Sequence, residues 1–317
     1  MARPRPNPPP HRQGVSASCV VLPHAIGLSH ADEPNTGVPG LMVEFLVQRF
    51  PHVSPDIWRS RLQNGDVTDD IGRTITLNSP FVPGLRLYYF RDVPQEAKIP
   101  FEAEVLYQDD HLIVVDKPHF LPVMPSGTYL QETVLVRLKN RLGLPDLVPI
   151  HRIDRDTAGL VMFSVNPATR DSYHALFRNH QVRKTYEAIA PWNPALPWPI
   201  RRASRLAPSA HFMQQTETPG EPNAVTEIRP LQAMGNLARY ELQPITGQRH
   251  QLRVHMHALG LPILNDGIYP VLTPEGATDV TKPLQLLAKQ IAFVDPVTSQ
   301  SCEFVSKRRL LDDTIKV

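Results

Sequence analysis

The sequence predicts an α+β protein in which a small unit precedes a larger one, and three observations lead to this prediction. Strand patterns flank short turns, as in the segment 104–118, where Asp109 and Asp110 mark the turn. Segments with apolar residues at helical spacing lie between the strands, as at 133–142. A polar linker with a proline at each end, residues 94–100, separates the two units.

The first 39 residues differ in composition from the chain that follows. Residues 1–39 are rich in Pro, Gly and Ser and lack a clear apolar period. We expect an irregular N-terminal extension, with one short strand at 18–22. The small compact unit is therefore predicted to span residues 40–93.

Two helices and several strands are expected in this small unit. The first helix is indicated by apolar residues near helical spacing: Leu41, Phe45, Leu46 and Phe50. The second is expected at 54–62, because Ser54 is a suitable N-cap and Pro55 fits the first helical position. The turn at 64–67 opens a strand, and two more strands are expected around the Pro-Gly turn of GRTITLNSPFVPGLRLYYF.

The larger unit, residues 101–317, is predicted to combine strands and helices around a buried strand at Leu160–Phe163, which is a continuous apolar run. Residues 191–222 are rich in proline and poor in pattern, so we expect loops and short edge strands there. The other elements are expected as follows: a helix at 133–142, a helix from the N-cap Asn166 to about Arg178, strands at 181–190 and 237–244, and a helix that Thr246 caps, that runs through His257 and that ends at Gly260.

Composition limits the function classes. The chain has 317 residues, 41% of them hydrophobic, and a net charge of +2, which is only weak support for a nucleic-acid partner. No apolar run is long enough to cross a membrane, and the basic N-terminus lacks the apolar middle of a secretory signal. Two cysteines, Cys19 and Cys302, make neither a disulfide framework nor a zinc site. We expect a reduced, cytoplasmic protein without a membrane partner.

The positive charges are unevenly distributed. Arginine and lysine gather in stretches where carboxylates are sparse: Arg152/Arg155, Arg178/Arg183/Lys184, Arg201/Arg202/Arg205, Arg249/Arg253 and Lys307/Arg308/Arg309. Clusters that converge on one face would form a phosphate-binding groove, whereas scattered clusters would be ordinary solvated charge. The sequence is compatible with both arrangements.

The most informative segment is HRIDRDTAGLVMF, His151–Phe163. It places Asp154 between Arg152 and Arg155, directly before the predicted buried strand. Nearby positive charge favours the ionised carboxylate and opposes the effect of desolvation. An anionic carboxylate that is held in this way can act as a nucleophile or a base, but it can also be a structural salt bridge.

Three motifs in order resemble the RluA family of RNA pseudouridine synthases: HRxDxxTxGL at 151–160, RKTYEAI at 183–189 and ITGQRHQLRVH at 245–255. The resemblance spans roughly residues 100–310. It implies a mixed, mainly antiparallel sheet with flanking helices and a central cleft. It also implies roles for three residues: Asp154 as the nucleophile, Tyr186 beside the flipped uracil, and Arg253 as the partner of the aspartate.

The same resemblance implies contacts with RNA phosphates. The candidate residues in the larger unit are Arg152, Arg155, Lys184, Arg249 and His250. On the predicted helix, Arg249 and Arg253 lie one turn apart and share a face. The chain departs from the family at Gln248, where arginine is usual, at Asn265, where glycine is common, and in LQLLA at 284–288, which lacks a frequent histidine.

The small unit resembles the alpha-L RNA-binding module in WRSRLQNGDV and SPFVPGLRL. In this interpretation Arg59 and Arg61 contact phosphates and orient the RNA without reading its sequence. The alternative is a small α+β unit with exposed arginines.

The expected function is therefore an isomerase that converts uridines of structured rRNA or tRNA to pseudouridine by base flipping, as a monomer and without metal, redox or nucleotide cofactor. One alternative is a non-catalytic RNA-binding or ribosome-assembly factor; another is a glycosidase, which needs a second acid near Asp154. His250, His255 and His257 do not share one helix face, so they do not indicate a metal site. Motifs for NTPases, dehydrogenases and serine hydrolases are absent from the sequence.

Overall fold

The computed structural model describes residues 11–24, 40–91, 93, 96–274 and 279–311. The chain divides into two compact units, Met1–Gln95 and Glu96–Val317. The division lies within the predicted linker at 94–100. Residues 1–10 and 25–39 of the predicted N-terminal extension lie outside the described residues.

The described part of the small unit contains two helices and two small sheets. Its elements are β1 (His11–Arg12), β2 (Val15–Ser16), β3 (Ser18–Val21), α1 (Met42–Arg49), α2 (Pro55–Gln63), β4 (Val67–Asp69) and β5 (Arg86–Tyr89). Strands β1 and β2 form a hairpin, and β3 and β4 flank β5 in an antiparallel sheet. The predicted second helix is confirmed, with the Ser54 side chain accepting a hydrogen bond from the Ile57 N–H at 3.3 Å.

The core of this unit is built around Trp58, which is fully buried. Its ring lies 5.0 Å from the ring of Tyr89, and Phe50 packs against both. Leu22 is buried in the same core, directly after β3. The small unit therefore includes residues on the N-terminal side of the start predicted at residue 40, because β3 supplies an outer strand of its sheet.

The large unit is built on one sheet of eleven strands among its described residues. Its elements are β6 (Glu104–Gln108), β7 (Leu112–Lys117), α3 (Val134–Leu142), β8 (Val148–Pro149), β9 (Ala158–Ser164), α4 (Arg170–Arg178), β10 (Arg183–Pro191), β11 (Ile200–Pro208), β12 (Gln215–Thr218), β13 (Ala224–Met234), β14 (Leu237–Pro244), α5 (Gln251–Ala258), β15 (Leu286–Val294) and β16 (Ser301–Val305). The main order is β12-β11-β13-β14-β10-β15-β9-β7-β6, with β16 on β15 and β8 on β9. Only β9 and β15 pair in parallel among these strands, so the predicted mixed, mainly antiparallel sheet is confirmed.

Strand β9 is buried along its whole length, as the apolar run predicts. Its side chains alternate between two cores, because successive residues of a strand point to opposite faces. Val161 and Phe163 pack in a core with residues of α3, whereas Leu160 and Met162 pack in a core with residues of α4. A strand covered on both faces is a rigid support for the segment that precedes it, which carries Asp154.

Two predicted helix starts in the large unit are wrong. Helix α4 begins at Arg170, because the Asn166 side chain accepts the Ala168 N–H in a turn rather than capping a helix. Helix α5 begins at Gln251 and not at Thr246. The intervening His250 has a φ of 55°, which a continuous right-handed helix does not allow.

The region at 191–222 is more regular than its proline content predicts. Strand β11 spans nine residues and pairs with both β12 and β13. Strand β11 contains three arginines, a serine and a proline among its nine residues, so its sequence lacks the strong apolar signal of β9. Its order comes from pairing with distant strands, which short-range sequence patterns do not report.

Gly159 allows a close approach between the two strands that pair in parallel. It lies opposite Ala288 with a φ of 108°, in the region that favours glycine. A Cβ atom at this position would lie 2.3 Å from the Ala288 carbonyl oxygen. The glycine thus fixes how the start of β9, just after the Asp154 segment, meets β15.

Gly159→Ala is expected to lower the free energy of unfolding by about 3 kcal/mol, since it adds backbone strain and a contact that only main-chain movement can relieve. Urea unfolding followed by circular dichroism measures the change. Gly143→Ala is the matched control, because Gly143 has a φ of 66° but open space at its Cβ position. It should cost about 1 kcal/mol. Equal losses in the two variants would contradict the importance of the close approach.

Candidate active site

Asp154 lies in the segment between β8 and β9, and the main chain around it is held from several sides. The Thr157 N–H donates to the Asp154 carbonyl at 3.2 Å. The Lys117 ammonium donates to the carbonyls of Arg155 and Pro118, each at 2.9 Å. His119 donates through Nδ1 to the Asp156 carbonyl at 2.7 Å. This segment is therefore fixed by side chains at the end of β7 and just beyond it.

Lys117 lies in the segment 104–118, for which the sequence predicts strands and a turn but no functional residue. It is fully buried, and its burial lowers its pKa to about 7, although Asp156 and Asp154 act in the opposite direction. A buried lysine is costly unless its protons are used in hydrogen bonds. Here the ammonium binds two main-chain carbonyls and adds positive charge near Asp154.

The Asp154 carboxylate forms an ion pair with Arg253 of α5. The distance from Oδ2 to Nη1 is 3.1 Å. The Arg253 side chain is 2% exposed, whereas that of Asp154 is 31% exposed and lines a cavity. The pair that the sequence predicts is therefore present, with its arginine buried and its carboxylate accessible.

Arg253 also binds a second carboxylate, Asp266, through two parallel hydrogen bonds. Nε donates to Oδ2 at 2.8 Å and Nη2 donates to Oδ1 at 2.6 Å. Asp266 is fully buried and accepts the main-chain N–H groups of Ile268 and Tyr269. A bidentate pair of this kind fixes the plane of the guanidinium and aims its remaining nitrogen at Asp154.

Sequence reasoning missed Asp266, although the segment LPILNDGIYP was compared with the family for Asn265. The sequence offers one indication of Asp266: it is a carboxylate directly before Gly267, in the segment that follows the helix of the third motif. Its role depends on a contact with Arg253 across 13 residues, which motif spacing alone does not reveal.

Charges around Asp154 keep its carboxyl group ionised. Burial opposes the charged form, but His250, Arg253 and Lys117 together outweigh it and lower the pKa of Asp154 below its usual value. The His250 Nε2 atom lies 3.8 Å from Oδ1. The predicted source of this charge was different: Arg155 places its Nε 2.8 Å from Asp156 instead. The groups that lower the Asp154 pKa most are therefore His250 just before α5, Arg253 on α5 and Lys117 on β7, and not Arg152 and Arg155 near it in sequence.

A cavity of about 540 Å³ brings Asp154, Tyr186 and Arg253 together. Tyr186 lies on β10 at a bulge in the pairing with β15. Burial, with a further contribution from Asp154, raises the pKa of its phenol. Among the described residues its hydroxyl makes no hydrogen bond, so it is a protonated group available to a molecule in the cavity.

The predicted phosphate contacts divide into two groups. Arg152, Lys184 and His250 line the cavity, whereas Arg155 and Arg249 do not. Arg249 precedes α5, and its guanidinium donates to the carbonyls of Phe212 and Met213 at 3.0 and 3.1 Å. The prediction that Arg249 and Arg253 share a helix face is therefore wrong, because the helix begins between them.

Lys184 contributes a positive charge to the cavity wall. Its Nζ donates to the Thr246 carbonyl at 2.9 Å, and no carboxylate lies within 4 Å of it in the described part of the chain. Burial lowers its pKa to about 8. Nearby His151 is neutral, because burial lowers its pKa to about 3, and its Nε2 accepts the Met162 N–H. Lys184 is thus a cation without a counter-ion, while His151 serves the packing.

The predicted RNA contacts of the small unit lie on α2. Arg59 is exposed and pairs with Asp56 at 2.9 Å. Arg61 lies over the Trp58 ring at 4.9 Å, which fixes part of its side chain against the core. Whether these arginines bind RNA stays a prediction.

The helix histidines have structural partners. His255 is buried between the hydroxyl groups of Thr226 and Ser204, at 2.9 and 3.0 Å. In the described ranges, no three His, Cys, Asp or Glu side chains form a group that could hold a metal ion. Within the same ranges no helix has the length and apolar character to span a membrane.

The chain is similar to known proteins in both sequence and fold. A family model described as RNA pseudouridylate synthase matches residues 111–258. An uncharacterised RNA pseudouridine synthase of Synechocystis is 31% identical over 231 residues, which cover 72% of this chain and 79% of that protein. The dual-specificity RNA pseudouridine synthase RluA of Salmonella typhi is 32% identical over 212 residues, 63% of this chain and 90% of that protein. A solved structure of human RNA pseudouridylate synthase domain containing 4 superposes with a TM-score of 0.52 at 27% identity, over 65% of this chain and 88% of that one.

Asp266→Asn is expected to lower the free energy of unfolding by about 3 kcal/mol, because it removes one partner of a fully buried ion pair. Chemical denaturation measures this loss. Glu241→Gln is the control, since Glu241 also binds an arginine through two hydrogen bonds, but that arginine, Arg229, is 60% exposed. The control should change stability much less. An Asp266→Asn variant as stable as the control would contradict the structural importance of this pair.

Proposed function

The chain belongs to the RluA family of RNA pseudouridine synthases, and from that membership we propose that Asp154 is the nucleophile with which this isomerase converts uridine in RNA to pseudouridine. The observation that carries the proposal is the ion pair between Asp154 and the buried Arg253 at the wall of a cavity. A carboxylate that is ionised, oriented and accessible only to a molecule that enters such a cavity meets the requirements of a nucleophile.

Isomerisation needs the target nucleotide outside the RNA stack. The proposed reaction begins when the Asp154 carboxylate forms a covalent bond to this nucleotide, at the anomeric carbon of ribose or at the pyrimidine ring. The bond between N1 and C1′ breaks, and the uracil turns within the cavity. C5 then bonds to C1′, the proton on C5 is lost, N1 gains a proton and the bond to Asp154 breaks. Atoms and charge are conserved, so no redox cofactor or co-substrate is required.

Tyr186 is proposed to contact the flipped uracil. Because burial and the Asp154 charge raise its phenol pKa, the protonated form prevails at neutral pH. This favours a role as a stacking surface and hydrogen-bond donor over a role as the base that removes the C5 proton.

Phosphate binding is proposed for three cavity residues, Arg152, Lys184 and His250. Lys184 has no carboxylate within 4 Å among the described residues, so its charge is available to a phosphate. We further propose that the substrate is structured rRNA or tRNA, that the protein acts as a cytoplasmic monomer, and that Arg59 and Arg61 of the small unit add RNA affinity. The alternative of a non-catalytic RNA-binding factor gains no support from the comparisons.

The experiment that tests the function is to map pseudouridines in total RNA from cells with and without the gene. The proposal predicts one or more uridines in rRNA or tRNA that are modified only when the gene is present. Restoration by the wild-type gene, and not by a gene with Asp154→Asn, would assign the modification to this active site. Identical maps in both strains, together with no activity of the purified protein on unmodified RNA, would contradict the proposal.

Asp154→Asn is expected to abolish pseudouridine formation while folding and RNA binding are retained, because the amide keeps the size of the side chain but is not nucleophilic. Release of tritium from C5-labelled RNA measures turnover, and gel shift measures binding. Asp156→Asn is the control, since it alters a carboxylate of the same segment that is paired with Arg155. The control should keep most of the activity; substantial turnover by Asp154→Asn would contradict the nucleophile assignment.

Lys184 is expected to set the alkaline limit of activity. Its pKa is about 8, so the free protein loses this positive charge as the pH rises through that value. The quantity kcat/KM of the wild type should therefore decline between about pH 7.5 and pH 9, as phosphate binding weakens. In Lys184→Arg the side chain stays charged, and the decline should disappear or move to higher pH. The same decline in both proteins would assign the titration to another group.

A further inference from the structure

The loop between β11 and β12 presents an aromatic ring to solvent. The Phe212 side chain is 74% exposed. One side of it is covered by His211, whose ring centroid lies 5.1 Å away with a stacked interplanar angle of 27°. His211 is itself fixed, because its Nδ1 accepts the Met213 N–H at 3.2 Å. The loop thus holds an imidazole behind an exposed phenyl ring.

This loop is tied to the active-site frame by hydrogen bonds. Arg249 donates to the carbonyls of Phe212 and Met213 at 3.0 and 3.1 Å. The N–H of Gln215 donates to the Tyr269 hydroxyl at 2.7 Å, and that hydroxyl is hydrogen-bonded to His250 Nδ1 at 3.1 Å. Since His250 lines the cavity and lies 3.8 Å from the Asp154 carboxylate, the position of the loop is linked to the site by two side chains.

Packing beneath the loop strengthens this link. Met213 packs in a small core with Val254, Ile268 and Tyr269. The Gln214 side chain donates to the Ile268 carbonyl at 2.8 Å. The two residues that follow the exposed ring are therefore anchored to α5 and to the segment that holds Asp266. Phe212 itself contributes little to this core, so burial does not account for an aromatic residue at the tip.

A single exposed apolar residue is common on protein surfaces and needs no functional explanation by itself. Phe212 differs in three respects: an imidazole covers one side of its ring, an arginine clamps its main chain, and its anchor residues adjoin the cavity. Arg249, which is exposed and binds the Phe212 carbonyl, also adds donors for phosphate oxygens beside it. RNA-binding proteins use such exposed rings, next to cations, to stack unpaired bases.

We infer that Phe212, supported by His211, stacks on an unpaired nucleobase next to the flipped uridine and so positions the RNA at the cavity. This inference rests on the proposed function, because it assumes that the nucleotide in the cavity belongs to an RNA strand. It makes the β11–β12 loop a determinant of substrate choice: the preferred RNA has an unpaired base beside its target. Arg249 then acts as a positioning residue for the loop, rather than as the predicted phosphate contact within the cavity.

The test compares variants at Phe212 on a synthetic RNA stem-loop with uridines in its unpaired loop. Phe212→Ala should raise both the KM and the Kd about tenfold, the scale of one lost stacking contact, with little change in kcat. Phe212→Trp should retain wild-type values, whereas Phe212→Leu, which is apolar but lacks a ring, should resemble Phe212→Ala. Val294→Ala, at another exposed apolar residue, is the control and should have no effect. Unchanged KM and Kd in Phe212→Ala would overturn the inference.

A second measurement identifies the base that stacks. Each nucleotide of the RNA loop is replaced in turn by an abasic nucleotide, and binding is measured for wild type and for Phe212→Ala. One abasic position should weaken wild-type binding about tenfold and leave the variant unaffected, since the contact is already lost. Equal effects on both proteins at every position would contradict stacking by Phe212. Wild type that binds the stem-loops but isomerises no RNA would overturn the proposed function, whereas binding coupled to Phe212 would still support the inference.

Discussion

The proposed active site depends on one buried guanidinium that binds two carboxylates. Arg253 is held in plane by Asp266 and presents its remaining nitrogen to Asp154. The two carboxylates have different roles. The Asp266 side chain is fully buried and fixes the orientation of the Arg253 guanidinium, while the Asp154 side chain is partly exposed to the cavity. Together the three groups carry one net negative charge, and it resides where a substrate can reach it.

The fold supplies this arrangement through its sheet. Strand β9 is buried on both faces and begins just after Asp154. Lys117 at the end of β7 binds the Arg155 carbonyl, next to Asp154 in the chain. Helix α5 carries Arg253 from the opposite side. The β11–β12 loop joins the same frame through Tyr269 and His250. Hydrogen bonds therefore link this loop to His250, which lies 3.8 Å from the Asp154 carboxylate. Substrate positioning and charge stabilisation therefore rest on one connected set of contacts.

Sequence reasoning captured what is encoded locally. The apolar run of β9, the Ser54 cap of α2 and the helix expected at 133–142 follow from side chains within a few residues, and all three are present. Asp154, Tyr186 and Arg253 came from a family resemblance, and they line one cavity. The roles of Asp266 and Lys117, the start of α5 at Gln251 and the clamp by Arg249 were missed, because each depends on contacts with distant parts of the chain. Motif spacing identifies candidate site residues, but it does not indicate which distant groups neutralise a buried charge.

The ion pair between Asp154 and Arg253 is tested most directly by the pKa of Asp154. Carboxyl-carbon NMR measures this pKa, and the Asp154 signal is assigned by its absence from the spectrum of Asp154→Asn. The comparison is between wild type and the double variant Arg253→Met, Asp266→Asn, which removes one positive and one negative charge and so keeps the net charge unchanged. We expect the Asp154 pKa to lie below the usual aspartate value in wild type and to rise in the double variant, because the direct ion pair is lost. A wild-type Asp154 pKa at or above the usual value, unchanged in the double variant, would contradict a carboxylate held ionised by Arg253.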